Sequence, residues 1–183
     1  MVRAHPPARL RERPQLRRLL DRVGQPGERA HREVTHEGIP QPLNELLDEF
    51  SFLERGERVD YLIEYADQFV NVPERVATRP YPEERRVKRC ESQAYVWAED
   101  DDGGTQKYWF AVENPQGISA KSFCAILDDT VSGASLDEVL RIPGDVVFDI
   151  FGKEISMGKG EGLLGILTSV QMFAREAATR PGA

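Results

Sequence analysis

Histidine and cysteine, the usual metal ligands, bases and nucleophiles, are scarce in this chain of 183 residues, which holds three and two of them. His5, His31 and His36 all fall within the first 42 residues, ahead of the part whose patterning looks foldable. The remainder has no imidazole, so a Cys-His hydrolase lacks its base. Cys90 and Cys124 are 34 positions apart, which excludes a Cys-x-x-Cys redox pair. They also fall short of the four or so ligands that tetrahedral zinc requires. Two cysteines make no disulfide framework. No apolar run approaches the ~20 residues that cross a bilayer. The N-terminus lacks the apolar stretch of a secretory signal, and its arginines come with acids and without serine, unlike a transit peptide. A cytoplasmic location is the expectation.

A net positive charge is missing as well. The net charge is −7, which disfavours a general nucleic-acid binder and fits association with a basic patch on a partner. The balance is uneven: residues 1–37 hold nine Lys/Arg against five Asp/Glu. Residues 1–42 carry Pro6, Pro7, Pro14, Pro26, Pro40 and Pro42, with Gly24, Gly27 and Gly38 between them. Leu10, Leu16, Leu19, Leu20 and Val23 allow one short helix, but the composition of residues 1–42 reads as a basic, mostly disordered extension rather than a docking element. A single domain over 43–178 and a short tail over 179–183 complete the division.

What is present is periodic. Leu43, Leu46, Leu47, Phe50 and Leu53 follow helical spacing, as do Val59, Leu62, Ile63, Ala66 and Phe69. The spacing predicts two amphipathic helices joined around Gly56, the second closed by Pro73. An irregular charged loop over 72–89 follows. The period then becomes two: Ala94, Val96 and Ala98 alternate with Tyr95 and Trp97, and after the turn at Asp102-Gly103-Gly104, Tyr108, Phe110 and Val112 alternate with Trp109 and Ala111. Ser119 is the expected N-cap of a helix with Ala120, Phe123, Cys124, Leu127 and Val131 on one stripe. Ser135 and Glu138 have capping-box spacing. Val147, Ile150 and Phe151 suggest a short helix stopped by Gly152, and a last helix runs from about Glu161 to Ala178. Helices, a hairpin and more helices make an α+β fold with a small antiparallel sheet packed by several helices.

Cys90 is the residue with chemical promise. Arg85, Arg86, Lys88 and Arg89 precede it, and nearby cations favour the reactive thiolate. Ser92 and backbone amides could donate to a sulfur anion. Glu83, Glu84 and Glu91 oppose the cations, so local sequence leaves a reactive and an inert Cys90 both open. Cys124 sits on an apolar stripe and reads as a small core hydrophobe. Gly158-Lys159-Gly160-Glu161-Gly162 is no Walker motif and reads as a flexible loop ahead of the last helix, with Lys159 a cation where anions are favoured.

These residues resemble the SufE/CsdE sulfur-acceptor family over roughly Leu43 to Ala177. Cys90-Glu91-Ser92-Gln93-Ala94-Tyr95-Val96-Trp97 is similar to the family's Cys-x-Ser-Gln-Val-Trp segment. Arg58-Val59-Asp60-Tyr61-Leu62-Ile63 resembles its Arg-x-x-x-Leu-Ile helix. Ala125-Ile126-Leu127, Ser132-Gly133, Glu138-Val139-Leu140 and Gly162-Leu163 follow in the family's order. The resemblance implies a SufE/IscU-like fold and a Cys90 that accepts sulfane sulfur from a PLP-dependent cysteine desulfurase. It also implies that the protein stimulates that enzyme and passes sulfur to an iron–sulfur cluster scaffold. PLP would belong to the desulfurase and no cofactor to this chain, which would act as a covalent accessory without independent turnover. The alternative is a regulator of a desulfurase or scaffold that keeps the fold and transfers nothing. The chain departs from the pattern at Arg89, where the family usually has Gly, and at Lys159 and Glu161, where it has Arg and Asn. It also departs around Gln116-Gly117-Ile118, where the family has Ser-Asp-Ala, and near Ser122, where it has Gly.

Overall fold

A computed structural model describes residues 36–180; most of the basic extension, including His5, His31 and the leucines from Leu10 to Leu20, lies outside the described residues. The elements in order are α1 (Gln41–Phe52), α2 (Arg55–Gln68), a 3-10 turn (Glu83–Arg85), β1 (Ala94–Asp100), β2 (Gln106–Val112), α3 (Ile118–Val131), α4 (Leu136–Arg141), α5 (Val146–Phe151) and α6 (Met157–Ala178). The α+β class expected from the sequence is the one observed.

β1 and β2 form an antiparallel pair in which Val96 faces Phe110 and Trp97 faces Trp109. Alternation splits the hairpin into two faces. Ala94, Val96, Tyr108, Phe110 and Val112 join the main core with the helices. Tyr95, Trp97 and Ala111 face the other way, where the loop after α2 covers them with Val72, Val76, Ala77 and Tyr81. The Tyr81 ring packs tilted against Tyr95 and edge-to-face with Trp97, at 5.2 Å and 5.3 Å between ring centroids. The charged loop therefore has an apolar job: it closes the second face of a two-stranded sheet that could not stand alone.

Five local expectations are corrected. The junction of α1 and α2 falls at Leu53-Glu54, not at Gly56, because Glu54 and Glu57 form a reciprocal capping box that fixes the helix start. α2 buries Tyr61, Leu62 and Tyr65, whereas Val59 and Ile63, expected inward, are 48% and 41% exposed. The N-cap of α3 is Gly117, not Ser119. The stretch Gly158–Gly162 is no loop: α6 begins at Met157 and runs for 22 residues. The second helix, expected to close at Pro73, ends at Gln68, and two further expectations hold. The Ser135–Glu138 capping box opens α4, and Gly152 ends α5 with φ of 82°, a value glycine adopts without strain. Ser122, where the family has Gly, is fully buried. Its hydroxyl shares its proton between the Leu62 carbonyl at 2.5 Å and the Ile118 carbonyl at 2.8 Å, so the polar group joins α3 to α2 instead of being left unsatisfied.

Candidate functional site

Cys90 stands in a tight loop that extends the sheet. Arg86 bridges Tyr95, and the Val87 N–H donates to the Ala94 carbonyl at 2.8 Å, so residues 88–93 form the tip of a second hairpin. Inside it the Gln93 N–H donates to the Cys90 carbonyl at 3.1 Å. Arg89 and Gln93 take φ of 63° and 50°, the left-handed region that costs an ordinary side chain roughly 1 kcal/mol. The position before the cysteine is thus one where glycine fits without strain, which gives a physical reason for the family's Gly and identifies Arg89 as a strained substitute.

The loop lies against α6. A Cβ at Gly165 would come within 2.7 Å of Val87 Cγ1 and 3.2 Å of the Lys88 carbonyl oxygen, closer than packed atoms approach. A Cβ at Gly162 would meet Cys90 Cα at 3.4 Å and Sγ at 3.6 Å. Glycine inside a helix costs about 1 kcal/mol relative to alanine. Here that cost is offset by the close approach of the cysteine loop to the helix axis.

Cys90 is 7% exposed and borders a cavity of about 240 Å³. Ser92 lines it from the loop; Gly117, Ile118, Ser119 and Ala120 line it from the first turn of α3; Gly158, Lys159, Gly162 and Leu163 line it from the start of α6. Two helix N-termini therefore converge beside one sulfur, and each presents partial positive charge that favours an anion. Gly117 lets α3 start this close, since a Cβ there would lie 3.0 Å from Ser92 Cβ and Oγ. A wider groove of about 610 Å³, floored by Leu53, Leu62 and Phe151, shares Ser119 and Lys159 with the cavity and opens it toward α2.

Of the residues singled out in the sequence, Cys90, Ser92 and Lys159 share this cavity. Arg89 does not line it; its side chain is 79% exposed and lies 3.8 Å from Glu161. The run of cations before Cys90 is dispersed as well: Arg86 pairs with Glu83 at 3.2 Å and Arg85 lies over the Phe173 ring. The charged side chains that line the cavity with Cys90 are Lys159 and Glu91, not that run. Tyr95 and Trp97 pack on the opposite sheet face. The cover of Cys90 is supplied by α3 and α6. Cys124 is fully buried in the core, and burial pushes its thiol pKa well up. His36 is drawn onto the domain, with Nε2 3.1 Å from Asp149 Oδ2, and does not line the Cys90 cavity. Among the described residues no group of three or more His, Cys, Asp or Glu could hold a metal ion, and no helix is long and apolar enough to cross a membrane.

Sequence reasoning missed Gly117, Gly162 and Gly165. The signal available was four glycines, at 158, 160, 162 and 165, inside a stretch with apolar helical periodicity, which marks a helix face built for close approach rather than a loop.

Comparison with known proteins agrees with the fold. The model of the SufE family, described as an Fe–S metabolism associated domain, matches residues 44–174. A protein of Plasmodium vivax described as cysteine desulfuration protein SufE is 27% identical over 96 residues, which cover 52% of this chain. The chain spans only 40% of that relative's length. A solution structure of a hypothetical protein from Thermus thermophilus is similar with a TM-score of 0.63 and 28% identity, covering 78% of this chain and 99% of the other.

Proposed function

The chain belongs to the SufE family of Fe–S metabolism associated domains, and we propose on this footing that it serves sulfur transfer and that Cys90 is the residue that carries the sulfur. The observation that supports the reading is the placement of Cys90 in a small cavity that is lined by the first turn of α3 and the start of α6, Lys159 included, with its Sγ next to Gly162. The Cys90 thiolate attacks the terminal sulfur of a cysteine persulfide on a PLP-dependent desulfurase. One S–S bond breaks and one forms, leaving Cys90–S–SH and the donor's thiol. PLP stays with the desulfurase. By clearing the persulfide the protein stimulates its donor, and once loaded it hands sulfur to a cluster scaffold by the same exchange. Lys159 and the N–H groups at the helix starts stabilise the anionic sulfur, and Ser92 shapes the cavity beside it.

Cys90 is nearly buried, so the donor sulfur must reach it through the cavity. Enclosure between exchanges protects a group that oxidants and thiols would otherwise consume. The direct test incubates the protein with its desulfurase and cysteine and measures the intact mass of the peptide bearing Cys90. The expected gain is one sulfur atom, reversible by reductant. An unmodified Cys90 in the presence of a stimulated desulfurase would establish the regulator reading instead.

Gly162→Ala separates fold from function. The new methyl sits in ordinary contact with Cys90 Sγ at 3.6 Å, and alanine raises helix propensity by about 1 kcal/mol. Stability is therefore expected to hold or rise. The space beside the sulfur is then occupied, and overpacking of about 1–3 kcal/mol on adding an atom reduces persulfide accumulation about tenfold. Denaturant midpoint and persulfide yield, measured on the same preparation, check both halves.

A further inference from the structure

The outward face of α2 is unusual for a surface helix. Val59 and Ile63, one turn apart, are 48% and 41% exposed, and Asp60, Glu64 and Asp67 follow on the same outward arc. The local field is negative: after burial, the carboxylates of Glu49, Glu64 and Glu57 push the Tyr61 phenol pKa further up.

Residues 1–35 carry the opposite sign, with nine Arg against four Asp/Glu. Within them Leu16, Leu19, Leu20 and Val23 fall on one helical arc, flanked by Arg17 and Arg22 with Arg18 behind. Pro14 ahead and Gly24 behind are the residues that bound a short helix.

The attachment point brings the two together. The His36 N–H donates to Asn44 Oδ1 at 3.2 Å, Asn44 Nδ2 donates to the His36 carbonyl at 2.9 Å, and the His36 ring reaches Asp149. The Asp149 carbonyl accepts from Arg58, the residue before Val59. His36 is therefore fixed against α1 and α5, and the Arg58 side chain links that place to the first turn of α2. The 12 residues between Val23 and His36 reach roughly 40 Å when extended, and a 14-residue helix is only about 21 Å long.

We propose that the basic amphipathic segment Gln15–Val23 of this chain docks on the acidic, apolar outer face of α2. Val59 also borders the groove that communicates with the Cys90 cavity, so the docked segment stands at the edge of that approach.

The test uses the full chain. A spin label is placed on Gly24→Cys in a Cys90→Ser background, where Cys124 is fully buried and escapes labelling. Amide signals from Val59 to Asp67 are expected to lose intensity, more than those of the turn at Asp101–Gly104. Raising salt from about 50 mM to about 500 mM weakens the loss, as screening requires. Asp60→Lys with Asp67→Lys abolishes it, and adding Arg17→Glu with Arg22→Glu restores it. Uniform loss, no loss, or indifference to the charge reversals would overturn the proposal. So would loss seen only when spin-labelled protein is mixed with unlabelled isotope-enriched protein, which would place the contact between copies.

Discussion

Cys90→Ala is expected to abolish covalent sulfur uptake and to leave the fold standing, whereas Cys124→Ala keeps uptake and weakens the fold. Both substitutions remove one sulfur atom, so the difference lies in what surrounds it. Cys90 borders a cavity on one side and Gly162 on another. Truncation there merely enlarges a space that already exists, at a cost of about 1 kcal/mol or less. Cys124 is enclosed on the apolar stripe of α3 with Phe123, Ile126 and Leu127, all fully buried. Removing its sulfur leaves a void that close-packed neighbours fill incompletely, for a loss of roughly 2 kcal/mol. Sulfur labelling and denaturant titration on both variants check the pattern. Labelled sulfur retained by Cys90→Ala would transfer the carrier role elsewhere. Iodoacetamide modification offers an independent reading: Cys124, its thiol pKa raised by burial, is expected to react only when the chain unfolds.

The two cysteines also show how far sequence alone reaches. Cys124 was legible because its neighbours are local: a stripe at helical spacing says what surrounds a residue three or four positions away. The hairpin and the Ser135–Glu138 capping box were legible for the same reason. The surroundings of Cys90 were not, because its cavity is built by Gly117 and Gly162, which lie far from it along the chain. The nearby arginines were the visible signal, and the fold sends Arg85 and Arg86 to other partners. Val59 and Ile63 misled because periodicity finds apolar arcs without telling which arc faces the core; Tyr61 and Tyr65 make the larger buried contact on α2. The glycines of α6 misled because low helix propensity is a weak prior that tertiary contact overrides.

Arg58→Ala is expected to cost about 3 kcal/mol of stability, and the reason lies in the ends of two helices. The last carbonyls of a helix have no intrahelical donor. Arg58 supplies one from a third helix: Nη1 donates to the Asp149 carbonyl at 2.5 Å and to Ile150's at 3.2 Å, in the last turn of α5, while Nη2 donates to the Phe50 carbonyl at 2.9 Å in the last turn of α1. The guanidinium is half-buried, and burial lowers its pKa against the opposing pull of Asp149. Its five donors in a planar fork suit three acceptors at once. Hydrogen bonds to a charged group contribute about 1.5–3 kcal/mol each and do not add fully, which sets the expected total. For a chain of this size that lowers Tm by roughly 6–12 °C. Arg58→Lys keeps the charge but, as a point donor on a flexible stem, is expected to recover less than half of the loss. The first arginine of the family-like Arg-x-x-x-Leu-Ile segment is then a clamp on α1 and α5 rather than a participant in chemistry. The chain runs from α5 through Gly152–Ser156 into the first turn of α6 beside Cys90, so sulfur uptake should fall in step with the loosened helix end. A loss below about 1 kcal/mol would mean that water serves these carbonyls equally well, and that α5 is held by its apolar face alone.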